Sequence, residues 1–176
     1  MMAVVLLCAL ESMDLEFSRV SSMWKVFHEF AHLCEEEAKS IYIPNMPYRA
    51  VFKANFGKDE TLTLMGNVPS GASEFTVNCI NNKTKYIHLH VKPCFHIGKV
   101  IRNYKTEDWA PYHDDNTPKF VFESGKAFTM EIKNEGDAYG VYCSGEKLFS
   151  FKQHLPFNQI DVIEVSGDVT LTMIKF

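Results

Sequence analysis

One stretch decides the fold of this chain, and it reads Ile87-His88-Leu89-His90-Val91-Lys92. Its apolar and polar residues alternate strictly. Successive side chains of a β-strand point to opposite faces of the sheet, so this alternation predicts a half-buried strand. The three apolar side chains are expected to face a core. The two histidines and the lysine are expected to project together from the polar face.

The same period of two recurs along the chain from residue 61 to its end. The further runs are 61–64, 75–79, 128–132 and 169–173. Turn-forming residues separate the runs, among them Pro69-Ser70-Gly71 and Asn81-Asn82-Lys83. Many short strands with regular turns and no helical period between them predict an all-β protein, an antiparallel sandwich or barrel.

The first 46 residues follow another pattern. Between residues 14 and 40 the apolar side chains recur at spacings of three and four, at Phe17, Val20, Trp24, Phe27, Ala31 and Cys34. This spacing predicts an amphipathic helix. Pro44 and Pro47 then predict an extended linker over residues 41–47. We therefore divide the chain into a mostly helical N-terminal extension, 1–46, and a β-domain, 47–176.

Charge and cysteine content exclude several classes of protein. The net charge is −4, and no cluster of lysines and arginines forms the basic stripe that a nucleic-acid-binding protein needs. The five cysteines are odd in number and never form a C-x-x-C pair. They predict free thiols rather than a disulfide framework or a thiolate zinc site. A reducing, cytoplasmic location follows.

The apolar start of the chain, residues 2–10, lacks the positive charges that precede a signal peptide's apolar core. It is also shorter than the ~18–20 apolar residues of a membrane span. We expect an ordinary buried segment and no membrane span. An extracellular location would then require export without a signal peptide.

The sequence His28-Glu29-Phe30-Ala31-His32 matches the H-E-x-x-H motif of zinc proteases. On a helix two such histidines lie one turn apart and can bind Zn²⁺, while the glutamate activates the metal-bound water. A zinc protease also needs a third ligand and a substrate cleft. A zinc hydrolase acting through His28, Glu29 and His32 therefore stays a distant alternative. We expect exposed helix histidines, with no metal and no cofactor.

Several further motifs, taken in order, resemble those of the galectin family. The family's H-x-N-P-R-F strand, V-x-x-N strand, W-G-x-E turn and F-x-x-G-x-x-F segment have counterparts at 90–95, 100–103, 109–112 and 120–128. The resemblance covers about 47–176. It implies a jelly-roll sandwich of two antiparallel sheets, and a lectin that binds β-galactosides without a metal rather than an enzyme. Its partners would be glycans or glycoproteins, and a homodimer is left open.

The resemblance also implies a carbohydrate-binding site. Trp109 would stack against the apolar C–H face of galactose. His90 would bond the axial hydroxyl that distinguishes galactose from glucose, and Asn103 would bond the exocyclic hydroxyl.

The chain departs from the family's pattern at four site positions. Lys92 replaces an asparagine, Cys94 an arginine and Tyr112 a glutamate, and Asp114 stands where a basic residue is usual. Lys92 and Tyr112 stay candidate carbohydrate contacts because of their positions. A thiol offers none of the donors of a guanidinium. We therefore expect a weakened or altered galactoside site. The alternative is a galectin-like interaction protein that has lost sugar binding.

Overall fold

The structure of this protein is a computed structural model, and it describes residues 40–42, 44–52, 56–111 and 119–176. The helix predicted for residues 14–40 lies outside the described residues except for Ser40. The histidine motif at residues 28–32 lies outside them altogether.

The described residues form eleven β-strands and one short 3-10 helix at Phe157–Gln159. The strands are β1 (Ser40–Tyr42), β2 (Tyr48–Val51), β3 (Thr61–Asn67), β4 (Phe75–Ile80), β5 (Ile87–Cys94), β6 (Lys99–Lys105), β7 (Ala127–Asn134), β8 (Ala138–Cys143), β9 (Glu146–Lys152), β10 (Val162–Gly167) and β11 (Thr170–Lys175). Every strand pair is antiparallel. No helix in these ranges is long and apolar enough to cross a bilayer.

The strands form two sheets. One has six strands in the order β1-β11-β3-β7-β8-β9, and the other has five in the order β2-β10-β4-β5-β6. This arrangement confirms the predicted all-β sandwich of two antiparallel sheets. The turn predicted at residues 81–83 connects β4 to β5, two neighbours within the five-stranded sheet.

The hydrophobic core draws buried side chains from both sheets. Leu64 and Met130 come from the six-stranded sheet, and Val77 and Leu89 come from the five-stranded sheet. Burying one such side chain contributes about 1.5–3 kcal/mol. The alternation along each strand therefore fixes which face of the five-stranded sheet is left for other tasks.

Strand β1 corrects part of the prediction that residues 41–47 are an extended linker, because residues 41 and 42 belong to this strand. Ser40 pairs with Lys175, and Tyr42 pairs with Met173, so β1 is an edge strand of the six-stranded sheet. The two prolines that suggested a linker both follow this strand. Proline disfavours a central strand but does not prevent the chain before it from pairing at an edge.

A β-bulge in β5 corrects the expectation that His88 shares a polar face with His90. Ile87 pairs with Ile80 and Leu89 with Cys79, so His88 is an extra residue opposite β4. A bulge interrupts the alternation of side chains along a strand. His88 is accordingly only 1% exposed, and neither ring nitrogen has a hydrogen-bond partner within the described residues.

Candidate functional site

Five polar side chains, one from each strand, stand in a line across the five-stranded sheet. They are Arg49, Glu164, Asn78, His90 and Asn103, and each is the Cα partner of the next. We call this set the polar row. Its members on β4 and β5 alternate with the core residues of those strands. Because alternate side chains point to opposite faces, the polar row lies on the face away from the core.

Direct contacts connect the first four members of the polar row. The Arg49 Nε lies 3.7 Å from the Glu164 Oε2. The Asn78 Nδ2 donates to the Glu164 Oε1 at 3.3 Å. The Asn78 Oδ1 lies 2.7 Å from the His90 Nδ1. A series of polar contacts through Asn78, Glu164 and Arg49 therefore fixes the His90 ring on its Nδ1 side.

Trp109 lies beside His90 because the chain turns back after β6. Lys105 and Trp109 form an isolated antiparallel bridge, and the Ala110 N–H donates to the Tyr104 carbonyl at 3.2 Å. The Trp109 and His90 ring centroids are 4.8 Å apart, at an interplanar angle of 66°. The indole is 45% exposed, so it is a platform open to a ligand rather than a core aromatic.

The ammonium group of Lys105 lies 5.7 Å from the Trp109 ring centroid. This distance is within the range of a cation–π contact, which contributes about 0.5–1 kcal/mol at an exposed site. The contact helps to hold an exposed indole in one orientation.

Asn103 lies next to His90 on the neighbouring strand but is only 7% exposed. Its Oδ1 accepts from the Tyr104 N–H at 2.9 Å, and its Nδ2 donates to the Ala110 carbonyl at 3.4 Å. A side-chain amide has two N–H donors, so one of them is still unassigned. Asn103 therefore fixes the turn that carries Trp109 and retains a donor for a ligand.

Lys92 and Cys94 stand where the family pattern has an asparagine and an arginine, and both have partners within the protein. The Lys92 Nζ lies 2.7 Å from the Glu74 Oε1, in an ion pair at the surface. Cys94 is only 2% exposed, and its thiol points to the Lys92 carbonyl at 3.7 Å. Burial raises the pKa of this thiol. Tyr112 and Asp114 lie outside the described residues.

The electrostatics of the site keep His90 neutral at physiological pH. Burial, together with a smaller contribution from the Lys92 charge, lowers the pKa of His90 to about 4, and the Glu74 carboxylate partly opposes these effects. A neutral imidazole has one N–H donor and one acceptor nitrogen. Hydrogen bonding to a ligand hydroxyl is therefore available to His90 over the whole neutral range.

The sequence did not identify three residues that shape this site, namely Asn78, Glu74 and Glu164. Asn78 carried a usable signal, because it is the polar member of the alternating run at 75–79. Its contact with His90 depends on the register between β4 and β5, which a single sequence does not show. Among the described residues, no three His, Cys, Asp or Glu side chains are grouped to hold a metal ion.

A shallow depression on the six-stranded sheet, lined in part by Met65 and Thr129, includes none of the polar row. The candidate site, formed by the polar row and Trp109, is instead an open polar face of the five-stranded sheet with an aromatic ring at its edge.

Known proteins are similar to this chain in both sequence and fold. The family described as galactoside-binding lectin matches residues 47–176. A 32 kDa beta-galactoside-binding lectin of Haemonchus contortus is 33% identical over 135 residues, which are 76% of this chain and 46% of that protein. Human galectin-4 is 27% identical over 140 residues, 79% of this chain and 43% of that protein. The chain thus spans less than half the length of these two relatives.

A solved structure shows the same fold. The galectin LEC-6 of Caenorhabditis elegans superposes with a TM-score of 0.71 at 22% sequence identity, over 78% of this chain and 94% of that one. The family match over 130 consecutive residues, together with this fold, settles the relationship. This chain belongs to the galactoside-binding lectin family, the galectins.

Proposed function

We propose that this chain binds β-galactosides or related glycans on the face formed by the polar row and Trp109. The observation that carries the proposal is the meeting of three side chains from separate segments. His90 and Asn103 are cross-strand partners, and the exposed Trp109 ring lies 4.8 Å from the His90 ring. A sugar has one apolar face and several hydroxyls, and a platform beside directed hydrogen-bonding groups complements both.

The affinity of this site is expected to be low. Lys92 is engaged with Glu74, and the Cys94 thiol is buried and is a poor hydrogen-bond donor. Cys94 and Tyr112 stand where the family pattern has an arginine and a glutamate, and two missing polar anchors at ~1–1.5 kcal/mol each weaken binding roughly ten- to a hundred-fold relative to a complete site. This change alters the strength of binding without removing the platform.

Titration calorimetry with lactose tests the proposal in wild type, Trp109→Ala and Tyr42→Ala. Tyr42 is the matched control, because it is an exposed aromatic on the six-stranded sheet. We expect weak binding in the wild type, an unchanged affinity in Tyr42→Ala and loss of binding in Trp109→Ala. Glycan binding that survives Trp109→Ala would show that the ligand sits elsewhere.

A second candidate is an interaction protein that has lost sugar binding. The ion pair between Lys92 and Glu74 favours this candidate. At a position where the family pattern has a polar anchor for the sugar, this chain has a lysine that is paired with a neighbouring carboxylate. Absence of binding across a glycan array, with a folded wild type, would decide for this candidate.

Both candidates describe a binding protein rather than an enzyme. They take glycans, glycoproteins or proteins as partners and leave a homodimer open, and we propose a cytoplasmic or extracellular location.

A further inference from the structure

Glu164 determines which way the Asn78 amide points. A carboxylate has only acceptor atoms, so the group that faces it must be a donor. The Asn78 atom that lies 3.3 Å from the Glu164 Oε1 is accordingly the amide nitrogen. The guanidinium of Arg49 lies 3.7 Å from the other carboxylate oxygen, so both oxygens of Glu164 face donor groups. The opposite amide orientation would set the Asn78 carbonyl against a carboxylate.

Asn78 in turn determines where the His90 proton lies. With its nitrogen turned to Glu164, the amide presents its carbonyl oxygen to the His90 Nδ1 at 2.7 Å. Two acceptors cannot hydrogen-bond each other, so Nδ1 must carry the hydrogen. A neutral imidazole has only one ring N–H, and the second nitrogen, Nε2, is then an acceptor.

We infer that Asn78 and Glu164 hold His90 in its Nδ1–H form, so that Nε2 is the acceptor in the hydrogen bond to the axial hydroxyl that the family resemblance implies. No described residue bonds Nε2, and His90 is only partly buried. Asn78 and Glu164 are thus positioning residues, which act on a ligand only through His90. The statement about the ligand rests on the proposed function, whereas the position of the ring proton does not.

The direction of this hydrogen bond sets the chemistry that the site selects. Lys92 stands two residues from His90 on the same strand, and its ammonium group has three N–H donors, of which the Glu74 carboxylate takes one. An acceptor and a donor therefore neighbour each other along β5. A hydroxyl group can satisfy both, since it donates one hydrogen bond and accepts others. A ligand group that only accepts would leave Nε2 without a partner.

Nitrogen NMR of the histidine rings tests the position of the proton without any sugar. In ¹⁵N-histidine-labelled wild type at pH 7, we expect His90 to be protonated at Nδ1. Asn78→Ala removes the carbonyl acceptor and should let the ring move toward the Nε2–H form that a free histidine favours in water. A wild-type ring protonated at Nε2 would overturn the inference. So would an Nδ1–H form that persists unchanged in Asn78→Ala.

Thr76→Ala is the matched control. The Thr76 hydroxyl lies 2.7 Å from the Ser166 hydroxyl, on the same two strands as Asn78 and Glu164 and one alternate position away. It makes no contact with His90 in the described structure, so Thr76→Ala should leave the His90 proton at Nδ1. A proton that moved in Thr76→Ala as much as in Asn78→Ala would reduce the effect to general loosening of the sheet and overturn the inference.

A fluorinated sugar tests the ligand's side of the bond. Methyl β-galactoside is compared with its analogue in which fluorine replaces the axial hydroxyl, because fluorine cannot donate. We expect at least ten-fold weaker binding of the analogue, and equal affinities would overturn the assigned direction. If neither sugar binds, the proposed function fails, and the NMR result still decides where the ring proton lies.

Discussion

The Lys92 ammonium and the Glu74 carboxylate form a 2.7 Å ion pair next to His90. The strand position that holds an asparagine in the family pattern thus holds a cation whose charge is neutralised locally. Both partners are partly exposed, so the pair contributes little to stability, ~1 kcal/mol or less. Its effect on the neighbouring imidazole is more direct, because Lys92 lowers the pKa of His90 while Glu74 opposes that change.

Removing Lys92 and removing Glu74 should therefore shift the pKa of His90 in opposite directions. Lys92→Met removes the cation and should raise it from about 4, while Glu74→Gln removes the anion and should lower it. Each change is expected to be roughly one unit or less, because both side chains are partly exposed. An NMR titration of the His90 ring measures both variants. The absence of a shift in both variants would show that burial alone controls this pKa, and shifts of the same sign would contradict the two charge effects.

Buried His88 should make the protein sensitive to acid. Burial lowers its pKa to about 4, with Asp161 partly opposing, whereas an unfolded histidine titrates near 6.5. The unfolded state therefore binds more protons between these values. The contribution to stability is fully present above pH ~6.5 and is lost as the pH falls toward 4, by about 3 kcal/mol in total.

Chemical unfolding at pH 7 and pH 5 measures this loss. His88→Leu should show a smaller difference between the two pH values than the wild type does. Part of the difference between pH 7 and pH 5 should remain in His88→Leu, because the pKa of His90 is lowered as well. His96→Leu, which changes an exposed histidine just after β5, is the control and should keep the wild-type difference. If His88→Leu loses as much stability between pH 7 and pH 5 as the wild type does, His88 is not the cause of the acid sensitivity.

Restoring the family's charged pair should strengthen binding of lactose. In the double variant Cys94→Arg with Tyr112→Glu, the guanidinium supplies a rigid set of donors and the carboxylate orients it. We expect roughly ten- to a hundred-fold tighter binding in titration calorimetry. Cys94→Ala, which removes the thiol and adds no donor, should bind as the wild type does. Equal affinities in the double variant and the wild type would mean that these two positions do not limit binding.

Gly66 is expected to be intolerant of any side chain. A Cβ built at this position would lie 2.5 Å from the Thr170 carbonyl oxygen, so the β3–β11 pair would have to separate locally. Gly66→Ala should lower the free energy of unfolding by about 1–3 kcal/mol. Gly57→Ala is the matched control, since the nearest atom to its Cβ would be 3.5 Å away in the Glu60 side chain. Equal losses in the two variants would exclude crowding as the cause.

The sequence predicted those strands in which one face is buried and the other is not. Strand β7 is the clearest case, with a regular alternation of buried and partly buried side chains. Strands β9 and β10 escaped notice because neighbours such as Leu148 and Phe149, or Val162 and Ile163, are buried together. In β9 the register shifts opposite residues 141 and 142, and this irregular ladder breaks the period of two by which a strand is predicted from sequence.

The members of the site were predictable where the chain itself supplies a motif. His90, Asn103 and Trp109 each stand in a recognisable family position, and the structure brings them together. The positioning residues Asn78 and Glu164 come from strands that are distant in sequence. Their contacts follow from strand register, which depends on the packing of the whole sandwich.

Because of the bulge at His88, β5 has one residue more than its neighbours between Ile87 and His90, yet the members of the polar row still pair with each other. On one side Ile87 pairs with Ile80 and His90 with Asn78; on the other, Ile87 pairs with Lys105 and His90 with Asn103. Both neighbouring strands are one residue shorter over this interval. Excising His88 would give a regular ladder on both sides, with His90 still opposite its two partners. A deletion of His88 is therefore expected to keep the polar row in register, although the buried space of its ring would be left empty.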